Sequence, residues 1–322
     1  MIIDAHVHVV DQGHWPAAWW DHVATTWAAD EDGREPDMVR DRIEAGLIDP
    51  KGDRMVSDMN AAGIDWAVNL SWDWGPDYPA PASVDELETH AVRISARHPE
   101  RIIPFAGIDP RRENAAERLE QWIKEDGIRG LKLYPPCGWW PEDERAMHLY
   151  EVCDRHGLPV LFHTGDPLPL LDGEYARPRH LRPVVETFPD LKVWIGHAGA
   201  HDGWNEAVEV AEASNTAKLE LSVWLWDTST HEDEVRLARL VAEARDRVGV
   251  ERILFGTDHV SGSKERRPGF LKKVTDMFRR LPQTASEDEI AITEADMSLI
   301  MGVNAASDLG IPLAVAPRDA AF

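Results

Sequence analysis

Short apolar, β-branched runs recur along the chain, each followed by a loop and an amphipathic stretch that ends in Gly or Pro. Eight runs stand out: residues 1–9, 66–71, 101–109, 128–134, 158–165, 192–199, 217–223 and 253–259. Helical periodicity fills the segments between them, with helices expected over 84–98, 115–125, 141–156 and 232–248. The third of these opens on Pro141 and acidic residues, and the last stops at Gly249. Strands that alternate with helices imply parallel pairing through crossovers. Eight such units predict an α/β fold, a closed (β/α)8 TIM barrel, rather than an open sheet.

Two segments depart from the pattern. Residues 11–52 are too long for a strand-to-helix loop. They carry Trp15, Trp19, Trp20 and Trp27, then a polar helix-like stretch, and are expected to form a lid or insertion after the first strand. The alternative is a peripheral packing element. Residues 312–322 show no element and read as a loosely held tail. The whole of 1–322 is expected to be one domain.

Composition narrows the function. A net charge of -24 repels nucleic acid and anionic membranes, and otherwise means a soluble surface. No apolar run is long enough for a membrane span. The N-terminal MIIDAHVHVV has neither a basic leader nor a small-residue cleavage site, so no signal peptide is expected. Cys137 and Cys153 form no CxxC pair, and cytosol is the expected compartment. The partner implied is a small-molecule substrate.

The chemistry gathers at strand ends. In DAHVH, period-2 alternation puts Asp4, His6 and His8 on one strand face, so two imidazoles can reach one ion. His163 ends the fifth run, His197 the sixth and Asp258 the eighth. In a barrel those positions share the C-terminal face, where active sites lie. Taken singly, each histidine could be a hydrogen-bonded rim residue and Asp258 a helix N-cap. Together they predict a metal site.

DAHVH, FHTG, IGHAG and GTDH, in this order, resemble the amidohydrolase superfamily, in the branch that contains aminocarboxymuconate semialdehyde decarboxylase and its hydrolase relatives. The resemblance runs from residue 1 to about 311, and MGVNAASDLGI is similar to the branch's closing helix. It implies that His6, His8, His163 and Asp258 hold one divalent ion. Zn²⁺ is expected, with Mn²⁺ as its competitor. It also implies that His197 and Asp258 move protons, and that the protein is a homodimer.

The expected reaction is hydrolysis of an ester, lactone or amide by metal-bound hydroxide. The alternative is non-oxidative decarboxylation of an aromatic or unsaturated acid, with His197 protonating carbon. Some decarboxylases of the branch carry Glu where this chain has His6, which leans toward hydrolysis. A metal-binding barrel without catalysis is the third possibility.

Lys132 lies near the end of the fourth run, with Tyr134 on the same face. It could be carboxylated and bridge a second metal, remain an ammonium that binds substrate, or serve as an ion-paired structural lysine. The 14 Trp outnumber 7 Phe and 4 Tyr. Trp72, Trp74, Trp139, Trp140, Trp224 and Trp226 follow strand ends, and a tryptophan-walled mouth suits an aromatic or apolar substrate. Ordinary rim packing is the alternative for each. Arg54, Arg177 and Arg179 could hold a substrate carboxylate, Arg177 and Arg179 being better placed after the fifth strand.

Overall fold

The computed structural model describes residues 1–30, 35–261 and 269–313, apart from the side chains of Trp27 and Asp30. The Trp27 side chain of the expected lid and tail residues 314–322 therefore lie outside the described set. The eight runs become β1 (Ile3–His8), β2 (Trp66–Leu70), β3 (Ile102–Gly107), β4 (Leu131–Leu133), β5 (Val160–His163), β6 (Val193–Gly196), β7 (Lys218–Glu220) and a split eighth strand. That last strand consists of β8 (Ile253–Leu254) and β9 (His259–Val260). Every pairing is parallel, in the order β8-β7-β6-β5-β4-β3-β2-β1-β9. The first half of the split strand pairs with β7 and the second with β1. Between the halves, Ala5 N donates to Phe255 O at 3.0 Å and Asp258 N to His6 O at 2.8 Å. The sheet thus closes on itself, and the observed fold is the TIM barrel.

The helices follow their sequence signals. The fourth, α4 (Val84–Arg97), starts at a capping box of Ser83 and Glu86. Ahead of α9 (His231–Val248), Thr230 and Asp233 form the same device. For α6 (Glu144–His156) the start falls at Asp143, whose side chain accepts Arg145 N, and not at Pro141. After α5 (Ala115–Gln121) the chain widens into a π turn, Trp122–Asp126, before Gly127 ends it.

Two layers of core hold the barrel. Between strands and helices lies the larger apolar cluster. Inside the barrel, Ile3, Ala5, Leu70, Phe105, Leu161 and Trp194 pack in a second cluster. It is plugged from below by Ala305, Ala306 and Leu309 of α12 (Asn304–Leu309). This floor leaves only the opposite end, at the strand C-termini, for a site. Among the described residues no helix is long and apolar enough to cross a membrane.

Residues 11–52 contain α1 (Ala17–Asp30) and α2 (Pro36–Leu47). Trp15, Trp19, Trp20, Val39 and Ile43 pack with Trp74 and Trp72 in a third apolar cluster. The insertion leans on the loop after β2 and braces it from outside.

One local expectation fails. β1 is irregular between Asp4 and Val7, where three steps on β1 pass two on β2. The bulge breaks strict alternation. Ile3 and Ala5 face the inner cluster, while His6 and His8 line the cavity above it. Asp4 does not share their face. Its carboxylate instead accepts Thr257 N at 3.0 Å and Thr257 Oγ1 at 2.6 Å, locking β1 to the last strand.

Candidate active site

A cavity of about 270 Å³ opens at the C-terminal end of the strands. Its polar side is formed by His6 and His8 (β1), Lys132 (β4), His163 (β5), His197 after β6, and Asp258 between β8 and β9. Trp72, Tyr134, Leu168, Val223 and Trp226 form the apolar wall.

Hydrogen-bond partners fix the tautomers of two histidines. His6 Nδ1 lies 2.8 Å from Glu220 Oε2, and His8 Nδ1 lies 2.9 Å from Leu70 O. Ionised carboxylates and carbonyls only accept, so both Nδ1 atoms carry the proton. The lone pairs are left on Nε2, which lies 3.3 Å (His6) and 3.2 Å (His8) from Asp258 Oδ1. Two lone pairs and a carboxylate oxygen thus converge, and the arrangement fits a divalent cation shared by the three.

His163 stands apart from that trio. Its Nε2 is 3.1 Å from Asp166 O, and its Nδ1 is 3.0 Å from His197 Nε2. Both nitrogens have a polar neighbour, but a neutral imidazole donates from only one of them, so His163 can offer Nε2 to an ion only as the Nδ1–H tautomer, without a bond to Asp166 O. His197 is held by Ser222 Oγ at 2.7 Å from Nδ1, and its carbonyl accepts Trp224 Nε1 at 2.8 Å.

Electrostatics follow from burial. It lowers His6, His163 and His197 well below the usual imidazole range, with Lys132 adding to this at His6 and His163 and His163 adding at His197. It also lowers Lys132 to about 8 and raises Glu220 to about 7. For Asp258, burial pushes upward, but His6, His8 and Lys132 outweigh it and keep the carboxyl ionised.

The strands leave the barrel under strain. His197 (φ 63°), Val223 (φ 62°) and Asp258 (φ 56°) all adopt left-handed backbone conformations. Each costs on the order of 1–3 kcal/mol for a non-glycine residue, and such outliers cluster at functional sites.

Of the residues expected to touch substrate, Lys132, Tyr134 and Trp72 line the cavity; Trp139, Trp140, Trp224 and Arg177 do not. Trp139 is buried in the outer core. Trp140 is 37% exposed and packs on Tyr175 and His180. Trp224 lies behind His197, against His201 and Trp204. Arg177 pairs with Glu206, which also takes Arg179 at 2.9 Å. Arg54 is exposed on α3 (Asp53–Ala62). Among the insertion's described tryptophans none reaches the cavity; they back Trp72, which stacks on Trp74 and Tyr134 at 4.4 Å each.

Sequence reasoning missed Glu220, Ser222 and the Asp4–Thr257 lock. Glu220 did leave a signal: an acid in the apolar run KLELSV, at the C-terminal end of a barrel strand.

The family model described as amidohydrolase matches residues 3–311. A dihydroorotase of Alcanivorax borkumensis is 27% identical over 99 residues, covering 28% of this chain and 29% of that protein, less than a third of either. Two solved structures share the fold over nearly the whole chain. A dihydroxybenzoic acid decarboxylase from Polaromonas sp. JS666, with bound manganese and the inhibitor 2-nitroresorcinol, is 18% identical with a TM-score of 0.61, covering 96% of this chain and 97% of that one. A probable 2-pyrone-4,6-dicarboxylic acid hydrolase from Acinetobacter baumannii, with citric acid bound, is 13% identical with a TM-score of 0.64, covering 96% and 99%.

Proposed function

The chain belongs to the amidohydrolase family, and from that premise we propose that it is a metal-dependent, non-oxidative decarboxylase of a flat aromatic or unsaturated carboxylic acid. One observation carries this: a buried lysine in a small, aromatic-walled cavity beside the candidate ion position. Lys132 Nζ lies 3.3 Å from His6 Nε2, and Trp72 and Tyr134, stacked on each other, form a wall of the same cavity. A planar acid lying on that stack brings its carboxylate to the polar side.

The apolar wall strips water from the carboxylate, which favours loss of neutral CO₂. The C–C bond breaks, its electron pair stays on the ring carbon, and a proton must replace CO₂ there. His197 is the donor in this reading, as an imidazolium charged by a proton from solvent once the substrate carboxylate stands beside it. His6, His8 and Asp258 would hold the ion, with His163 as a fourth ligand once freed from Asp166 O. Zn²⁺ or Mn²⁺ suits that donor set, and the manganese of the Polaromonas enzyme supports the latter. When bound, the ion polarises a substrate oxygen.

Hydrolysis of an ester, lactone or amide is the second reading. Asp258 favours it: an ionised carboxylate at the mouth is a proton acceptor, which water activation requires. The Acinetobacter hydrolase supports it as well. A side-by-side screen of metal-loaded enzyme separates the two. Hydroxybenzoates and related unsaturated acids, scored by CO₂ release, form one arm; aryl esters, lactones and amides form the other. Turnover confined to the second arm overturns decarboxylation.

A further inference from the structure

We propose that Glu220 is the positioning residue of this site, a buried carboxylate that dictates the tautomer of His6 and ties it to the turn carrying His197. The proposal rests on His6 being a metal ligand, and concerns the metal site rather than the reaction.

Glu220 ends β7 and is fully buried. Oε2 lies 2.8 Å from His6 Nδ1, accepts Ser222 Oγ at 2.8 Å and accepts His197 N at 3.1 Å. Oε1 accepts Ser222 N at 2.7 Å. A buried carboxylate is costly unless donors surround it, and here four donors do. Two neighbours then assign the same His6 tautomer independently. Ionised, as the N–H and O–H donors around it favour, Glu220 only accepts, so the proton sits on Nδ1; the Lys132 ammonium can only donate, so Nε2 carries the lone pair.

Room for the carboxylate comes from the GTDH motif. A Cβ on Gly256 would lie 2.0 Å from Glu220 Oε1 and 3.0 Å from His6 Cβ. The same carboxylate holds the N–H of His197, whose φ of 63° needs an external hold. One side chain therefore sets both the histidine facing the ion and the histidine beside it. Outer partners of this type tune metal affinity by about 10–100-fold.

Glu220→Gln is the direct test. An amide offers a single acceptor oxygen to four donors, and it removes the negative charge behind His6. In metal-stripped protein labelled with ¹⁵N-histidine, long-range ¹H–¹⁵N spectra should show His6 protonated on Nδ1, the signal being assigned by its loss in His6→Asn. In Glu220→Gln that signal should shift toward the Nε2 tautomer. Zn²⁺ affinity, measured by competition with a chelating dye, should fall by about 10–100-fold. The melting temperature of the stripped protein should fall as well, because buried donors lose their acceptor, so the tautomer and the Zn²⁺ affinity carry the test. Ser222→Ala keeps the Glu220–His6 contact and should retain near-wild-type Zn²⁺ affinity.

An Nε2-protonated His6 in the wild type overturns the proposal. So does unchanged Zn²⁺ affinity in Glu220→Gln, and so does a drop in melting temperature without an affinity change, which would make Glu220 a structural prop only. Wild-type protein that binds neither Zn²⁺ nor Mn²⁺ removes the metal reading of His6 itself. None of these readouts uses a substrate, so an inactive preparation leaves the role of Glu220 testable.

Discussion

Lys132 Nζ stands 3.3 Å from His6 Nε2, so an ammonium occupies the flank of the point where His6, His8 and Asp258 converge. Like charges a few ångströms apart oppose each other by on the order of 1 kcal/mol or more even under strong screening. Lys132→Met should therefore bind Zn²⁺ or Mn²⁺ about tenfold more tightly while losing most activity. Dye competition and steady-state rates measure the two effects. Weaker metal binding in the variant, with a carboxylation mass on Lys132 in the native protein, would instead make this lysine part of a two-metal site.

His8 and His163 should differ as ligands. His8 Nε2 already faces Asp258, whereas both nitrogens of His163 have other polar neighbours. A ligand that binds only the folded state raises the melting temperature in step with its affinity. Added Zn²⁺ should stabilise wild-type protein, fail to stabilise His8→Ala, and still partly stabilise His163→Ala. Calorimetry with and without metal decides, and equal losses in both variants would restore four equivalent ligands.

Two tryptophans should part company. Trp72→Ala opens the cavity wall and should raise KM for bulky substrates by a factor corresponding to about 1–3 kcal/mol, sparing metal content. Trp139→Ala lies in the outer core and should cost about 3–5 kcal/mol of stability without a comparable selective change in KM. Denaturant melts and substrate titrations of both variants test the contrast.

Glu88 provides a pH prediction away from the candidate metal site. It is buried on α4, its Oε1 accepts Gly107 N at 2.9 Å, and burial raises its carboxyl from 4.5 to about 8. Between those values the folded state holds a proton that the unfolded state has lost. Its stabilising contribution is complete below about pH 4.5 and fades as pH rises to 8. The slope reaches at most about 1.4 kcal/mol per pH unit for one proton. Glu88→Gln should flatten the decline of unfolding free energy between pH 5 and 8. A wild-type slope preserved in the variant would count against it.

What was legible in the sequence was whatever depends on period and position. Strand–helix alternation gave away the barrel, and histidines at strand ends converge because a barrel gathers all its strand ends on one rim. The Asp4 phase was not legible, because a one-residue bulge leaves no mark in an apolar run. Tryptophan counts misled because Trp139 and Trp224 suit a packed layer as well as a wall. Arg177 looked free because its partner, Glu206, lies far along the chain in α8 (Trp204–Glu212). Glu220 was visible as an anomaly, but only the fold brings it to His6.

An ion held at the seam of the barrel would have a second task. His6 and His8 belong to the first strand and Asp258 to the interruption of the last, where backbone bonds such as Ser261 N to His8 O join the two. An ion shared by these side chains would act as a clasp across almost the full length of the chain. Ring closure of that span is entropically expensive for the unfolded polymer, so the clasp shifts the balance toward the closed ring. Chelation would then loosen the rim between the terminal strands before anything else, and amide exchange along 255–261 would be the first to quicken.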